Sequence, residues 1–237
     1  MTNYVRFLAL ALIITACKGA ADERSSSPQP QATSSASPVA AASTPAPGSS
    51  TQGVNDPLVM RADSGRIRGN PASKVWMIIA SDFQCPYCKM WHDSADMTIR
   101  REYVDNGKVR LAFINFPIGS HQNAMPAAEY AMCASAQNKF WDMHDAIFGA
   151  QDRWAGQANP TAVFEQLAGS IGVDIAALKA CVAEHKMVPM IQADRDKAAQ
   201  AGVRATPSFF IGKTILEGVQ MPSDLRKVLD AAIAASP

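Results

Sequence analysis

The chain has 237 residues, enough for one large or two small domains, and 48% of them are apolar, an ordinary share for a protein with a buried core. Twenty-two Lys and Arg residues face 21 Asp and Glu residues, so the formal net charge is only +1. Proteins that bind nucleic acid usually gather a basic excess on one face, whereas the cations here are spread thinly along the chain. The composition therefore argues against a nucleic-acid partner.

The first residues have the pattern of an export signal. Phe7 to Ile14 form an apolar run of eight residues behind Arg6, and a membrane span needs about 20. The residues that follow, Ile14-Thr15-Ala16-Cys17, resemble the lipobox of bacterial lipoproteins. We therefore predict a lipoprotein signal peptide over residues 1–16 and lipidation of Cys17, the alternative being an ordinary signal followed by an incidental cysteine.

A low-complexity segment follows the signal. Of the thirty residues 24–53, 23 are Ser, Pro, Ala or Thr, and none is aromatic. Such a segment buries too little apolar surface to offset the entropy lost on ordering. We predict that residues 17–56 are a disordered tether between the lipidated cysteine and a folded domain over residues 57–237.

The folded domain begins with a strand, a helix and a second strand. Residues 75–80 (VWMIIA) are continuously apolar, as in a strand buried on both faces. Helical spacing then runs from Cys88 toward a stop at Asn106-Gly107, and residues 109–116 (VRLAFINF) indicate the second strand. A strand-helix-strand unit predicts a parallel pair.

The remainder is helical until close to the end of the chain. Helical patterns cover residues 127–137, 139–148, 161–170, 175–183 and 188–201, and Asn159-Pro160 and Asp174 are expected to begin two of these helices. Strands at 208–211 and 214–217 and a helix at 222–235 close the domain. The predicted fold class is α/β, with a sheet interrupted by a helical insertion at about 121–190.

A cysteine pair lies where the first buried strand gives way to the helix. In Cys85-Pro86-Tyr87-Cys88, the first helical turn brings the two sulfurs together, and its amides and dipole favour a thiolate on Cys85. Cys85 is the predicted nucleophile and Cys88 the predicted resolving thiol. Pro86 and Tyr87, between them, tune the stability of the thiolate.

These residues resemble the thioredoxin superfamily, specifically the DsbA-like thiol:disulfide oxidoreductases. Further blocks carry the resemblance in the same order, namely Gly69-Asn70-Pro71, Ser81-Asp82-Phe83-Gln84, Phe116-Pro117, Lys139-Phe140-Trp141-Asp142-Met143-His144 and Thr206-Pro207-Ser208-Phe209. The resemblance implies a thioredoxin fold with an inserted all-helical domain, and a cis Pro207 facing the cysteine pair. It also implies that Thr206 and Pro207 contact the substrate chain, and that no cofactor is needed beyond a Cys85-Cys88 disulfide.

Two positions depart from the family pattern. Many relatives hold a buried carboxylate six residues before the first cysteine, where this chain has Ile79. The nearby Asp82 and a water path are both open as routes for the proton of the inner thiol. Thr206 precedes the proline as in disulfide isomerases and some DsbA-like proteins, so it does not fix the direction of exchange.

A CxxC motif by itself has other meanings. It can be half of a zinc site or a structural disulfide, and His92, four residues after Cys88, could join it in binding copper or zinc. A metal-binding or client-docking module is therefore the alternative from another class of protein. With no second CxxC in the sequence, we predict no metal among the site residues.

The other cysteines form a second expected pair. Five cysteines divide into Cys17 for lipid, two in the motif, and Cys133 and Cys181 on two predicted helices. An unpaired cysteine is a liability outside the cytoplasm. We predict a structural disulfide between Cys133 and Cys181, the alternative being two buried free thiols.

Together these features predict a lipid-anchored, periplasm-facing protein of the bacterial cell envelope. It is expected to exchange its disulfide with cysteines of exported proteins and, by resemblance, to be reoxidised by a membrane redox partner. A disulfide-forming oxidase is favoured over a reductase or isomerase, because known envelope isomerases carry a dimerisation domain where this chain has a tether. We accordingly expect a monomer.

Overall fold

A computed structural model describes residues 56–236, in which five strands form one mixed sheet of order β1-β3-β2-β4-β5. The signal peptide, Cys17 and all but the last residue of the predicted tether lie outside the described residues. The strands are β1 (Ile67–Arg68), β2 (Val75–Ser81), β3 (Val109–Asn115), β4 (Ser208–Ile211) and β5 (Thr214–Glu217).

The helices flank this sheet and fill the interval between β3 and β4. They are α1 (Pro57–Gly65), α2 (Pro86–Trp91), α3 (Met97–Ile99), α4 (Ala124–Ser135), α5 (Phe140–Gly149), α6 (Gln151–Trp154), α7 (Thr161–Ser170), α8 (Ile175–Ala183), α9 (Val188–Gln200) and α10 (Pro222–Ala234). A π-helical turn, His92–Asp96, joins α2 to α3, and a second one, Arg100–Val104, continues α3. Residues 86–104 thus form one continuous helix, called the motif helix below. No helix in residues 56–236 combines the length and the apolar content needed to cross a bilayer.

The central strand β2 determines where the cysteine motif lies. It pairs in parallel with β3, with Ile79 opposite Phe113, and antiparallel with β4, with Ile79 opposite Phe209. A strand paired on both sides and covered on its faces must be apolar, which explains the continuous VWMIIA run. The α/β class and the parallel pair are confirmed, and the motif helix begins five residues after the end of β2.

Helices α4 to α8 form the insertion. Its core is continuous with the motif, because one apolar cluster contains both motif cysteines, Phe83 and Phe113 together with Phe140 and Phe148 of α5. Helix α9 then packs on β3, where Asp194 accepts hydrogen bonds from the amide and the side chain of Asn115 at 3.1 and 3.0 Å. The insertion therefore shares its apolar core with the cysteine motif.

Three elements are absent from the sequence-based prediction. Helix α1 precedes the sheet and is capped by Asp56, whose carboxylate accepts from the amide of Leu58 at 2.8 Å. Strand β1 and helix α6 have only two and four residues, too short to show a period. These elements depend on tertiary contacts, and α1 packs against α4.

Candidate active site

Cys85 caps the amino terminus of the motif helix. Its backbone is extended, with φ −68° and ψ 124°, and Pro86 occupies the first helical position, where the missing amide costs no hydrogen bond. Cys85 is 4% exposed and Cys88, one turn further along, is completely buried, whereas Tyr87 between them is 59% exposed. Both cysteines are free thiols. The outer sulfur therefore lies beneath a surface that another chain can reach.

The surroundings of Cys85 favour its thiolate. The hydrogen bond from Cys88 is the largest influence, and with the Thr206 hydroxyl and the amides of Cys88 and Tyr87 it outweighs the opposing effect of burial. Together these groups lower the pKa of Cys85 to about 6. At neutral pH most of the outer sulfur is therefore ionised, and the thiolate is the nucleophilic form.

Cys88 is affected in the opposite direction. Burial raises the pKa of Cys88 well above its usual range, and the hydrogen bond to Cys85 and the charge of that thiolate raise it further. The main-chain amide of Asp82 donates to Cys88 Sγ at 3.5 Å and opposes these effects only in part. The pair thus consists of an outer thiolate and an inner thiol that holds its proton.

Thr206 and Pro207 face the outer sulfur from the loop before β4. The Thr206–Pro207 peptide bond is cis, and Cys85 Sγ, when protonated, donates to the carbonyl oxygen of Thr206 at 3.6 Å. The Thr206 Oγ1 atom is buried and has no hydrogen-bond partner among residues 56–236, so its proton is free to turn toward the Cys85 thiolate. Thr206 therefore lies against the motif, and Pro207 follows it through the cis bond.

Asp82 supports the motif loop, and its carboxylate is fully occupied. Its side chain accepts from the amide of Gln84 at 2.7 Å, from the amide of Ile118 at 2.8 Å and from His121 Nδ1 at 2.7 Å. The contact with Cys88 is made by its main chain. Of the two routes that the sequence left open for the proton of the inner thiol, the Asp82 carboxylate is thus engaged in fixing loops, and the water path stays a prediction. Ile79, where many relatives hold a carboxylate, is packed into the sheet with 1% exposure.

Polar side chains from the insertion also hold the motif loop, and sequence reasoning missed them. Gln151 Nε2 donates to the carbonyl oxygens of Phe83 at 2.7 Å and Cys85 at 3.2 Å. The Gln84 side chain accepts from the amide of Asn123 at 2.7 Å and donates to the Ala155 carbonyl at 2.9 Å. No sequence motif distinguishes these amides. The role of Gln151 is visible only in the fold, where it is buried on the short helix α6.

Cys133 and Cys181 lie away from the motif on α4 and α8, and they are joined by a disulfide. The S–S distance is 1.99 Å and the two Cα atoms are 5.9 Å apart. The bridge closes a sequence separation of 48 residues within the insertion.

His92 does not extend the cysteine motif toward a metal site. In the described part of the chain, the one group of three or more candidate ligands consists of His92, Asp96, His144 and Asp145. This group contains neither Cys85 nor Cys88.

With this geometry in view, the sequence matches the thioredoxin family over residues 61–231. The chain belongs to the thioredoxin family. Among curated relatives, the probable disulfide bond formation protein D of Bacillus anthracis is 28% identical over 148 residues, which are 60% of this chain and 67% of the relative. The putative protein-disulfide oxidoreductase RP025 of Rickettsia prowazekii is 25% identical over 172 residues, or 72% of this chain and 62% of the relative.

A relative of another kind carries a similar domain. The Na(+)/H(+) antiporter NhaA 3 of Salinispora tropica is 29% identical over 163 residues, or 68% of this chain. The match covers only 24% of the antiporter, so this chain spans about a quarter of that relative's length.

Solved structures share the fold. BdbD from Bacillus subtilis in its oxidised form superposes with a TM-score of 0.66 at 19% identity, covering 73% of this chain and 95% of that one. The alpha-DsbA1 protein of Wolbachia pipientis gives 0.65 at 23% identity, covering 71% and 90%. The predicted DsbA-like thioredoxin fold with a helical insertion is confirmed.

Proposed function

We propose that this protein is a thiol:disulfide oxidoreductase that exchanges a Cys85-Cys88 disulfide with cysteine pairs of exported proteins, acting mainly as a disulfide-forming oxidase. The observation that carries the proposal is the division of the pair into an outer thiolate, with its pKa lowered to about 6, and a buried inner thiol. A protein that stabilises its reduced form in this way gives up its disulfide readily. The names of the relatives in Bacillus and Rickettsia support the same chemistry.

The exchange takes place in two steps. A substrate thiolate attacks Cys85 Sγ of the oxidised enzyme, a substrate–Cys85 disulfide forms, and the Cys85–Cys88 bond breaks. Cys88 leaves as a thiolate and takes up a proton, because its buried site strongly favours the neutral form. A second substrate thiolate then attacks the substrate sulfur of the mixed disulfide, forming the substrate disulfide and releasing Cys85 as the stabilised thiolate.

This mechanism leaves two electrons on the enzyme, so a reoxidising partner is required. We assign that role to a membrane redox protein, and we place the protein on the outer side of a bacterial membrane, anchored through Cys17. The support for the anchor is the sequence around Cys17 together with the low-complexity residues that follow it.

The bound substrate is expected to lie over Cys85, against the Thr206–Pro207 loop and the Tyr87 side chain. The Thr206 carbonyl oxygen contacts Cys85 Sγ, and Tyr87 is exposed between the two cysteines. An extended peptide carrying its own cysteine suits such a site, because its thiolate must approach Cys85 along the axis of the disulfide bond.

Two thiol variants of the full chain test the proposal. Oxidised wild-type protein is mixed with a reduced, unfolded protein that contains one cysteine pair, and the loss of free thiols in that substrate is measured. We expect one disulfide transferred per enzyme and none from Cys85→Ser. With a disulfide-containing substrate, Cys88→Ser should instead accumulate as a covalent adduct through Cys85.

Two outcomes would contradict parts of the proposal. Exchange that survives in Cys85→Ser would contradict the assigned nucleophile. Wild-type protein that reduces substrate disulfides but leaves substrate thiols unoxidised would indicate a reductase, the second candidate, which Thr206 before the proline leaves open.

A further inference from the structure

Four potential metal ligands converge behind the cysteine motif. They are His92 and Asp96 on the motif helix and His144 and Asp145 on α5, and one ligand atom from each lies within 4.8 Å of the other three. His92 Nε2 is 3.4 Å and His144 Nδ1 is 2.8 Å from Asp145 Oδ1. Neither the thioredoxin fold nor the proposed exchange reaction requires this cluster.

The two ligands of the motif helix lie on one face of it. His92 and Asp96 are the first and last residues of a π-helical turn. Positions four apart share a face of a helix, and π-helical turns are frequent at functional sites. Asp145 directly follows His144 on α5, which packs against this turn.

Asp96 is the most unusual member of the cluster. Its side chain is completely buried, and neither carboxylate oxygen accepts a hydrogen bond from residues 56–236. Arg100 Nη2 forms an ion pair with Oδ2 at 3.0 Å. Buried carboxylates are normally hydrogen-bonded or bound to a metal, so the Asp96 Oδ1 atom indicates a missing partner.

The charges of the cluster do not balance through Arg100 alone. The same Arg100 nitrogen also contacts Asp145 Oδ1 at 2.8 Å, so one guanidinium serves two carboxylates. The remaining close charges cancel each other, because Asp93 beside His92 is paired with Lys89 at 2.7 Å. With both carboxylates ionised and both histidines neutral, the cluster therefore carries one negative charge that Arg100 does not balance.

We propose that His92, Asp96, His144 and Asp145 bind one zinc ion that fastens the motif helix to α5. Two imidazoles and two carboxylates match the nitrogen and oxygen ligands and the fourfold coordination of zinc, whereas calcium and magnesium prefer sites built from oxygen alone. Arg100 remains a partner of the carboxylates outside the coordination sphere, a common arrangement around metal ligands.

The site is structural rather than catalytic. Four protein ligands leave no open position for a substrate, and the site is reached from solvent through Asp145, whose side chain is 37% exposed. A histidine binds metal through a ring nitrogen that carries no proton, so zinc binding weakens in acid.

Zinc binding can be measured independently of the cysteines. The full-length Cys17→Ser/Cys85→Ser/Cys88→Ser variant has no free thiol in its sequence when the Cys133–Cys181 disulfide is intact. Equilibrium dialysis against micromolar zinc near neutral pH, followed by elemental analysis, gives the number of ions bound per chain. We expect one, together with a rise in the melting temperature on addition of zinc.

Substitutions in the same thiol-free chain locate the site. His92→Gln and Asp96→Asn should each weaken zinc binding by more than about 100-fold, beyond the loss expected for a residue outside the coordination sphere. The matched controls are Asp142→Asn, an exposed carboxylate on α5 paired with Lys139, and His185→Gln, an exposed histidine paired with Glu129. Both controls should bind zinc as tightly as the parent.

Two results would overturn the proposal. The first is a folded thiol-free chain that binds no zinc, and the second is zinc binding that is unchanged in both His92→Gln and Asp96→Asn. Circular dichroism of each variant establishes that it is folded. The exchange assay with the cysteine-containing chain is separate, so failure of the zinc site leaves the proposed oxidoreductase activity standing.

Discussion

The sulfur of Cys85 lies 3.6 Å from the carbonyl oxygen of Thr206, although 121 positions separate the two residues. Strand pairing makes this contact, because β4 follows the Thr206–Pro207 loop and pairs with β2, the strand that leads to the motif. The nucleophile and the loop that faces it are thus held by the same two strands. The properties of Cys85 should therefore respond to changes in either segment.

The first prediction concerns the ionisation of Cys85. Alkylation of reduced protein by iodoacetamide should follow the thiolate, with a half-maximal rate near pH 6 and a plateau at higher pH. Cys88→Ala should move the midpoint upward, because it removes the hydrogen bond that contributes most to the low pKa of Cys85. A wild-type midpoint near 8.5, the ordinary value for cysteine, would contradict the assignment.

The second prediction isolates the hydroxyl of Thr206. Thr206→Val keeps the shape of the side chain but removes the donor that lowers the pKa of Cys85. We expect the alkylation midpoint to rise by about one pH unit, since a hydrogen bond to a charged group is worth about 1.5–3 kcal/mol before compensation by neighbours. Thr214→Val, exposed on β5, is the matched control and should leave the midpoint unchanged. An equal shift in both variants would show that the hydroxyl has no specific role.

The third prediction concerns the support of the motif loop by the insertion. Gln151→Ala leaves the carbonyl oxygens of Phe83 and Cys85 without their donor, and such a loss costs about 1–3 kcal/mol. Chemical denaturation should show this decrease in the free energy of unfolding. Gln157→Ala, whose exposed side chain bonds only the Arg153 carbonyl, should change stability by less than about 0.5 kcal/mol. Equal stability of the two variants would mean that Gln151 does not hold the loop.

The fourth prediction separates the two cysteine pairs. Cys133→Ser/Cys181→Ser should lower the free energy of unfolding by about 4 kcal/mol, since the bridge restricts the unfolded chain over a separation of 48 residues. Disulfide exchange per folded molecule should remain, because Cys85 and Cys88 are untouched. Complete loss of exchange in a folded double variant would place the second pair in the reaction.

Much of the fold was predictable because its signals are local. The continuous apolar run of β2 and the helix stop at Asn106-Gly107 each predicted an element that the structure contains. Asp174 caps α8, as its position before a helical pattern predicted, and accepts from the amides of Ala176 and Ala177 at 2.9 and 3.1 Å. The cysteine motif was recognisable for the same reason, because its four residues are adjacent.

The remainder depends on residues that are distant in sequence. Gln151 becomes important only when α6 is placed beneath the motif loop, and nothing in its neighbours indicates that position. The π-helical turn at His92–Asp96 was similarly hidden, because the spacing of apolar residues there also fits an α-helix. His92 was assigned to the cysteines as an alternative ligand, whereas the fold turns it toward His144 and Asp145 on α5.

The reduction potential of the Cys85-Cys88 couple tests the central claim most directly. It can be measured by equilibrating the protein with glutathione buffers while the Cys133–Cys181 bridge stays oxidised. A stabilised Cys85 thiolate favours the reduced form, so we expect a value near that of strong oxidants of this fold, about −120 mV. A value near −270 mV, typical of thioredoxin as a reductant, would contradict the assignment of the protein as a disulfide-forming oxidase.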